Sequence, residues 1–272
     1  MDFSVAKYVS SDSKQKLGTA ELLFRCADEI GLQPSWLTPD GLFVITVGGQ
    51  EKYINFARSP LNSHTAASLA KDKYLTRLIL ERHGMPNIPF TRPATHGEAE
   101  SFLHTYKKIV AKPVRGSGAR DIHIITSQTQ LKALRITDYI LEQYIAGREL
   151  RYLILEGEVI GAYHSEYGVS VEEDRPLQCI SYPRFAWDGE LIESSLEIGR
   201  IFGLRFAAVD YLIDASGRAY ILEVNSTPDL KWFHAPTSGP IVDVARRFLE
   251  AITKTQPGFV FESTAIIAQA AA

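Results

Sequence analysis

Two carboxylates and one amide that can bind a metal ion lie on a predicted β-hairpin in the second half of the chain. Apolar runs at 206–213 and 219–224 predict two strands joined by a short polar turn. Because side chains alternate along a strand, Glu223 and Asn225 share a face, and the hairpin brings Asp210 close to them. Carboxylate and amide oxygens are ligands that Mg²⁺ prefers. The pattern predicts a magnesium site, and the alternative is the solvated face of an ordinary hairpin.

A glycine-rich loop follows a strand that carries one lysine, and this arrangement suits the binding of phosphate groups. The predicted strand 109–112 ends at Lys112, and Gly116, Ser117 and Gly118 follow. Glycine lets a backbone lie against a ligand and aim N–H groups at phosphate oxygens, while the lysine adds a positive charge. The spacing does not fit the Walker or dinucleotide-binding patterns. A flexible hairpin turn has the same sequence features, so both interpretations stay open at this point.

Two further segments carry groups that a nucleotide can contact. Lys73 lies in a predicted helix over 66–83, where it is either a second phosphate ligand or a solvated lysine. Residues 141–145 end a predicted strand whose backbone can hydrogen-bond an adenine edge, and Glu149 can accept hydrogen bonds from ribose hydroxyls. A plain connector with a surface salt bridge fits the same residues.

Composition excludes several other classes of protein. The 272 residues are 45% hydrophobic and carry a net charge of -3, which excludes disorder throughout. Because 32 Asp and Glu outnumber 29 Lys and Arg, a dominant nucleic-acid function is not expected. Apolar runs are too short to span a bilayer, and two cysteines are too few for a disulfide framework. We therefore expect a cytoplasmic protein without nucleic-acid or membrane partners.

Hairpins interrupted by helices predict an α+β fold with antiparallel sheets. Predicted helices cover about 20–30, 66–83, 95–106, 127–134, 192–202 and 241–252. Predicted strands cover about 42–47, 53–56, 109–112, 122–126, 139–144, 150–155, 159–164, 206–213 and 219–224.

In chain order, these motifs resemble the ATP-grasp superfamily. They are Asp72-Lys73 on a helix, Lys112-Pro113 with the glycine loop, Glu142-x-Tyr144-Ile145 with Glu149, and Asp210 with Glu223-x-Asn225. The resemblance spans about residues 65–252 and is closest to the carboxylate–amine ligase branch, with relatives of cyanophycin synthetase, glutathione synthetase and ribosomal-protein glutamate ligases. It implies two α+β subdomains that clamp ATP between antiparallel sheets, after a short N-terminal domain.

The resemblance also implies a division of the chain and a role for each motif. The implied parts are a reduced N-terminal domain at 1–62, a small subdomain with the glycine loop at 63–145, a C-terminal subdomain with the metal site at 146–255, and a tail at 256–272. ATP would contact Lys73, Lys112, Gly116, Ser117, Gly118, Glu142, Gln143, Tyr144, Ile145 and Glu149. Mg²⁺, or alternatively Mn²⁺, would be held by Asp210, Glu223 and Asn225, and the transferred phosphate would be steadied by the catalytic candidates Arg184 and Arg151.

The activity that the resemblance implies is an ATP-dependent ligation. A carboxylate would be joined to an amine through an acyl phosphate, with release of ADP and phosphate, and the substrates would be an amino acid or a peptide. A phosphotransferase and a nucleotide-binding module without catalysis are the alternatives. A homodimer is the family-level expectation. The chain departs from the family's pattern at Arg120-Asp121, late in the glycine loop, where many relatives have small residues.

Overall fold

A computed structural model of the chain describes residues 18–39, 41–116, 121–166 and 178–255, and of Glu166 only the backbone. Its helices are α1 (Thr19–Glu29), α2 (His64–Lys71), α3 (Lys73–Arg82), α4 (His96–Tyr106), α5 (Gln128–Lys132), α6 (Gly189–Phe202), α7 (Lys231–His234) and α8 (Val244–Thr253). Its strands are β1 (Ser35–Trp36), β2 (Leu42–Val47), β3 (Gln50–Asn55), β4 (Phe90–Thr91), β5 (Ile109–Pro113), β6 (His123–Ile125), β7 (Tyr139–Gln143), β8 (Gly147–Leu155), β9 (Glu158–Glu166), β10 (Gln178–Ser181), β11 (Phe206–Asp214) and β12 (Ala219–Asn225).

The strands form three antiparallel sheets, as the hairpin pattern predicts. One has the order β1-β2-β3, one β4-β7-β5-β6 and the largest β10-β9-β8-β11-β12. Every pair of neighbouring strands in these sheets runs antiparallel. The α+β class is thereby confirmed. Across the described ranges, the helices lack the length and apolar character needed to cross a membrane.

The largest sheet is covered on both faces. On one face, strand residues including Leu153 and Phe206 share an apolar cluster with Phe248 of α8. On the other face, Tyr152 and Tyr211 pack in a second cluster with α6. Burial of alternate residues on opposite faces fixes the register of β8 and β11, because a slip of one residue would turn every apolar side chain to the wrong side.

The short N-terminal sheet does not have a separate core. Leu23 of α1 and Ile45 of β2 lie in the same apolar cluster as Phe248 of α8 and Phe206 of β11. The buried Lys52 of β3 strengthens this junction, since its ammonium donates to carbonyl oxygens at the end of α8. Residues 18–62 therefore form a layer against the C-terminal part of the fold.

A smaller core supports the four-stranded sheet. Ala99 and Leu103 of α4 pack with Ile109 of β5 and Leu141 of β7. The short helix α5 begins with a capping box. The Ser127 side chain accepts from the N–H of Gln130, and the Gln130 side chain accepts from the N–H of Ser127. This core holds the strands that carry the lysine and the adenine-hinge candidates.

Two predicted helices have different bounds in the structure. The helix predicted over 66–83 is two helices, because the chain becomes extended at Asp72, whose carboxylate accepts from the N–H of Leu75 and caps α3. The helix predicted over 241–252 begins at Val244, after the cap Asp243, and Ile241 is half exposed outside it. In both cases an aspartate cap sets the start of the helix, at a position that apolar spacing alone does not predict.

We expect that Lys52→Met destabilises the fold without unfolding it. Lys52 Nζ donates to Ile252 O at 3.0 Å and to Thr255 O and Oγ1 at 2.6 Å each. Loss of these bonds leaves buried acceptors without their donor and lowers the free energy of unfolding by about 1–3 kcal/mol. Urea unfolding measures the change, with the exposed Lys254→Met as the control. Equal unfolding midpoints for the two variants would contradict the junction described above.

Candidate active site

One row of side chains crosses four strands of the largest sheet. Tyr163 of β9 pairs with Arg151 of β8, Arg151 with Asp210 of β11, and Asp210 with Glu223 of β12. Since directly paired residues point to the same face of a sheet, the four side chains form a continuous polar line. The predicted approach of Asp210 to Glu223 is thus present as a direct cross-strand pair, and a β-bulge follows Asp210.

Asn225 lies one row further along the same face. It pairs with Ala208, two residues before Asp210. Its Oδ1 accepts from the N–H of Thr227 at 2.9 Å, which orients the amide and leaves the second lone pair of the oxygen available. Within the described ranges, His, Cys, Asp and Glu side chains form no group of three that holds a metal by themselves. The candidate set therefore consists of two carboxylates and this amide.

The two carboxylates are electrostatically unfavourable neighbours. Burial and the charge of Asp210 raise the pKa of Glu223, while Lys73, Arg151 and Lys112 act in the opposite direction. Like charges on adjacent strands favour a cation between them. A hard divalent cation such as Mg²⁺ fits this oxygen donor set. The charges of both predicted phosphate lysines, Lys73 and Lys112, therefore lower the pKa of Glu223.

Arg151 is bound tightly to Asp210. Its Nε and Nη2 donate to the two oxygens of Asp210 at 2.5 and 2.6 Å, and its Nη1 donates to Tyr163 Oη at 3.0 Å. This two-pronged geometry fixes the plane of the guanidinium. Arg151 therefore lies on the face that carries the candidate metal ligands, and its action on phosphate stays a prediction.

Lys112 is held by a buried carboxylate. Its Nζ lies 2.7 Å from Glu142 Oε2, and Arg77 Nε donates to Glu142 Oε1 at 2.7 Å. Burial alone would raise the pKa of Glu142, but Arg77 and then Lys112 lower it to about 2. The Glu142 carboxylate is therefore charged and occupied by two cations. If residues 142–145 form the predicted adenine hinge, their backbone groups, and not the Glu142 carboxylate, would contact the base.

The backbone of the predicted hinge is itself anchored. The N–H of Gln143 donates to Pro89 O at 2.9 Å, and the N–H of Tyr144 donates to Lys108 O at 3.1 Å. The Lys108 ammonium also lies 3.6 Å from the centre of the Tyr144 ring. These bonds hold the exit of β7 in place. Among the described residues the Ile145 N–H makes no backbone hydrogen bond, so this group stays a candidate for hydrogen bonding to a base.

Glu149, the candidate for ribose binding, lies beside the polar row. Burial raises its pKa, as does the charge of Asp210, whereas Arg151 and Lys112 oppose the shift. Its strand begins at Gly147, where a Cβ atom would lie 2.5 Å from the carbonyl oxygen of Ile213. The close approach of β8 and β11 at the hinge therefore requires glycine.

Lys73 lies at the entry to the glycine loop. Its Nζ donates to Gly116 O at 3.0 Å, and its N–H donates to Val114 O at 2.9 Å. Ser117 and Gly118, also predicted to contact phosphates, lie outside the described residues. At the far end of the loop, Asp121 accepts from Tyr139 Oη at 2.6 Å. The described residues on either side of the loop are thus held by α3 and β7.

Arg184 is not brought to the other candidates. It lies on an exposed 3-10 turn, with its guanidinium carbon 6.0 Å from the centre of the Trp187 ring. Its assignment as a catalytic residue stays a prediction. Arg77, in contrast, reaches Glu142 from α3, and the sequence argument missed it because an arginine in an amphipathic helix is normally solvated.

Comparison with known proteins assigns the class. The ATP-grasp domain family matches residues 70–160. The chain superimposes on a bifunctional glutathione synthetase from Pasteurella multocida with a TM-score of 0.63, at 14% identity over 86% of this chain and 44% of that one. It superimposes on the macrocyclase MdnC of Microcystis aeruginosa with a TM-score of 0.61, at 14% identity over 91% and 98% of the two chains. The chain therefore has the ATP-grasp fold, and its residues 70–160 are similar to the ATP-grasp domain family.

Its curated relatives lie in the carboxylate–amine ligase branch. The chain is 25% identical over 215 residues to the tetrahydromethanopterin:alpha-L-glutamate ligase of Methanocaldococcus jannaschii, covering 74% of this chain and 72% of that protein. It is 30% identical over 193 residues to the D-alanine–D-alanine ligase of Desulforudis audaxviator, covering 61% of each. The chain thus spans about three fifths of the D-alanine–D-alanine ligases that it matches.

We expect Glu142→Gln to change the pH dependence of stability. The folded pKa of about 2 lies below the ordinary 4.5, so the carboxylate stabilises the fold above about pH 4.5 and loses this effect as the pH falls toward 2. At pH 7 the variant leaves two buried cations uncompensated and costs about 3–5 kcal/mol. Urea unfolding at pH 7 and pH 4 measures both the loss of stability at neutral pH and its dependence on pH. Exposed Glu158→Gln is the control, and parallel pH profiles for wild type and Glu142→Gln would refute this assignment.

Proposed function

We propose that this protein is an ATP-dependent ligase that joins a carboxylate to an amine and releases ADP and phosphate. The observation that carries the proposal is the row in which Arg151, Asp210 and Glu223 pair across neighbouring strands of one sheet face. The charges of Lys73 and Lys112 lower the pKa of Glu223 in this row. Phosphoryl transfer needs positive charge in position before the γ-phosphate moves. Cationic side chains opposite a pair of oxygen ligands meet this requirement in one place.

The chemistry explains why ATP is needed. A carboxylate is a poor electrophile because its leaving group would be an oxide. Attack of a carboxylate oxygen on the γ-phosphorus forms an acyl phosphate and breaks the bond to ADP. An amine nitrogen then attacks the acyl carbon, phosphate leaves, and the nitrogen loses a proton. An acyl phosphate also reacts with water, so a loop that closes over the site has a protective effect.

The residues divide this work by position. Lys112, held by Glu142, and Lys73, at the loop entry, bind the phosphates of ATP. Arg151, oriented by Asp210, would neutralise charge on the transferred phosphoryl group and on the intermediate that follows. The divalent ion that ATP-grasp ligases use would be held by Asp210, Glu223 and Asn225 as Mg²⁺, or alternatively Mn²⁺. When bound, it supplies Lewis-acid stabilisation of phosphate charge.

Relatives indicate the substrate class. The curated relatives are named as ligases of alpha-L-glutamate and of D-alanine, and one fold neighbour is a macrocyclase bound to a precursor peptide. We therefore propose an amino acid or a peptide as the source of the carboxylate and of the amine. We further propose that the protein acts in the cytoplasm, where ATP is abundant, and that it works as a homodimer.

A screen of substrate pairs tests the ligase proposal. Wild-type protein is incubated with ATP, MgCl₂ and pairs drawn from amino acids and short peptides, and ADP release and product masses are recorded. We expect a product with the summed mass of the two substrates less one water, together with free phosphate. A substrate that gains a phosphate group would instead identify a phosphotransferase. If ATP binds but no pair raises ADP release above the control with ATP alone, the ligase assignment is wrong.

Glu223→Gln separates a functional carboxylate from a structural one. We expect turnover to fall by about 100-fold or more, because Lewis-acid stabilisation contributes several kcal/mol to the barrier. The free energy of unfolding at pH 7 should stay equal or rise, since the variant removes a buried charge that Asp210 repels. Steady-state kinetics with the pair found in the screen and urea unfolding measure the two effects. Exposed Glu158→Gln is the matched control, and unchanged turnover in Glu223→Gln would remove this residue from the mechanism.

A further inference from the structure

Arg77 is a buried arginine with an unusual set of partners. Only 2% of the residue is exposed, although Leu78, the next residue on α3, is exposed to solvent. Its guanidinium donates four hydrogen bonds, to Glu142 Oε1 at 2.7 Å, Asn87 Oδ1 at 3.0 Å, Ile221 O at 2.6 Å and Leu222 O at 2.9 Å. A buried guanidinium is costly unless it is satisfied in this way.

These partners belong to both halves of the candidate site. Glu142 is on β7, the strand of the predicted adenine hinge, and it holds Lys112. The carbonyl groups of Ile221 and Leu222 are on β12, directly before Glu223. Arg77 therefore bridges the four-stranded sheet and the five-stranded sheet at the point where one carries a phosphate lysine and the other a candidate metal ligand.

The charge of Arg77 also decides how strongly Glu142 holds Lys112. Glu142 has one oxygen for each cation, so its single negative charge is shared between Arg77 and Lys112. Without Arg77, the carboxylate would neutralise Lys112 alone. The lysine would then carry less net charge toward a triphosphate, and β12 would lose two of the bonds that set its distance from β7.

From this geometry, and resting on the proposed function, we infer that Arg77 is a positioning residue. It keeps Lys112 available to ATP and holds the strand that carries Glu223 at a fixed distance from it. Arg77 reaches the substrate only through these neighbours, and it lies outside the residues assigned to ATP, metal or catalysis above.

The first test measures ATP affinity in Arg77→Gln and Arg77→Lys by calorimetry. We expect Arg77→Gln to weaken ATP binding by about 10-fold or more. Changes of residues that orient a ligand-binding group usually lower affinity by this amount. Arg77→Lys returns the charge beside Glu142 and should recover most of this loss. Arg247→Gln, which removes an exposed ion pair with Glu158, is the matched control. ATP affinity in folded Arg77→Gln within twofold of wild type would overturn the inference.

A double variant distinguishes positioning from a general loss of structure. In Arg77→Gln combined with Glu142→Gln, no carboxylate captures Lys112, so ATP affinity should recover relative to Arg77→Gln alone. A purely structural role predicts that the double variant regains stability, because both buried partners are removed, without regaining ATP affinity. The double variant also conserves the charge balance of the buried cluster, which keeps the test available if the single variant does not fold. A double variant that binds ATP no better than Arg77→Gln would count against the inference.

Hydrogen exchange measures the bridge without relying on nucleotide. We expect backbone amides of β7 and β12 to exchange faster together in Arg77→Lys, because the shorter side chain cannot maintain the fork that reaches both strands. Faster exchange confined to α3 would overturn the bridging role. If wild-type protein does not bind ATP, the proposed function fails, whereas this measurement still decides whether Arg77 links the two strands.

Discussion

A buried carboxylate between two cations is the interaction on which the arrangement of the site depends. Glu142 lies in the interior of the fold with Arg77 on one oxygen and Lys112 on the other. Removal of Glu142 would leave two cations in a low-dielectric environment without a counter-charge, which costs far more than the loss of a surface ion pair. The three residues come from α3, β5 and β7, so the cluster forms only when these elements are packed together. Placement of the phosphate lysine is thus a consequence of folding.

The large sheet combines a structural face with a chemical one. At one end, the face that carries Asp210 continues into the apolar cluster that includes Phe206 and Leu153. At the other end, it carries Arg151, Glu149 and Glu223, where burial and then the charge of Asp210 raise the pKa of both glutamates. The free energy gained by apolar packing at the first end offsets the unfavourable charge repulsion at the second. Repulsion of this kind favours the binding of a cation.

Strand alternation and turn position were sufficient to predict the pairing of Asp210 with Glu223, because both are local properties of one hairpin. The boundary at Asp72 was not predicted, since apolar spacing continues through it and the cap becomes visible only when its carboxylate is seen to accept from Leu75. The role of Arg77 has no local signature at all. Its partners Glu142 and Ile221 lie 65 and 144 residues further along the chain.

Long-range polar contacts therefore account for what the sequence leaves open at this site. Apolar periodicity reports which face of an element is buried, and it treats a charged residue on such a face as an exception. The buried charges Arg77, Glu142 and Lys112 are exceptions that compensate one another, and each is acceptable only because the others are present. Sequence patterns read one element at a time assign each of them to solvent or to ligand. Only the packing of two sheets against α3 reveals that one carboxylate is committed to positioning, and that Lys112 reaches the phosphate site already oriented by it.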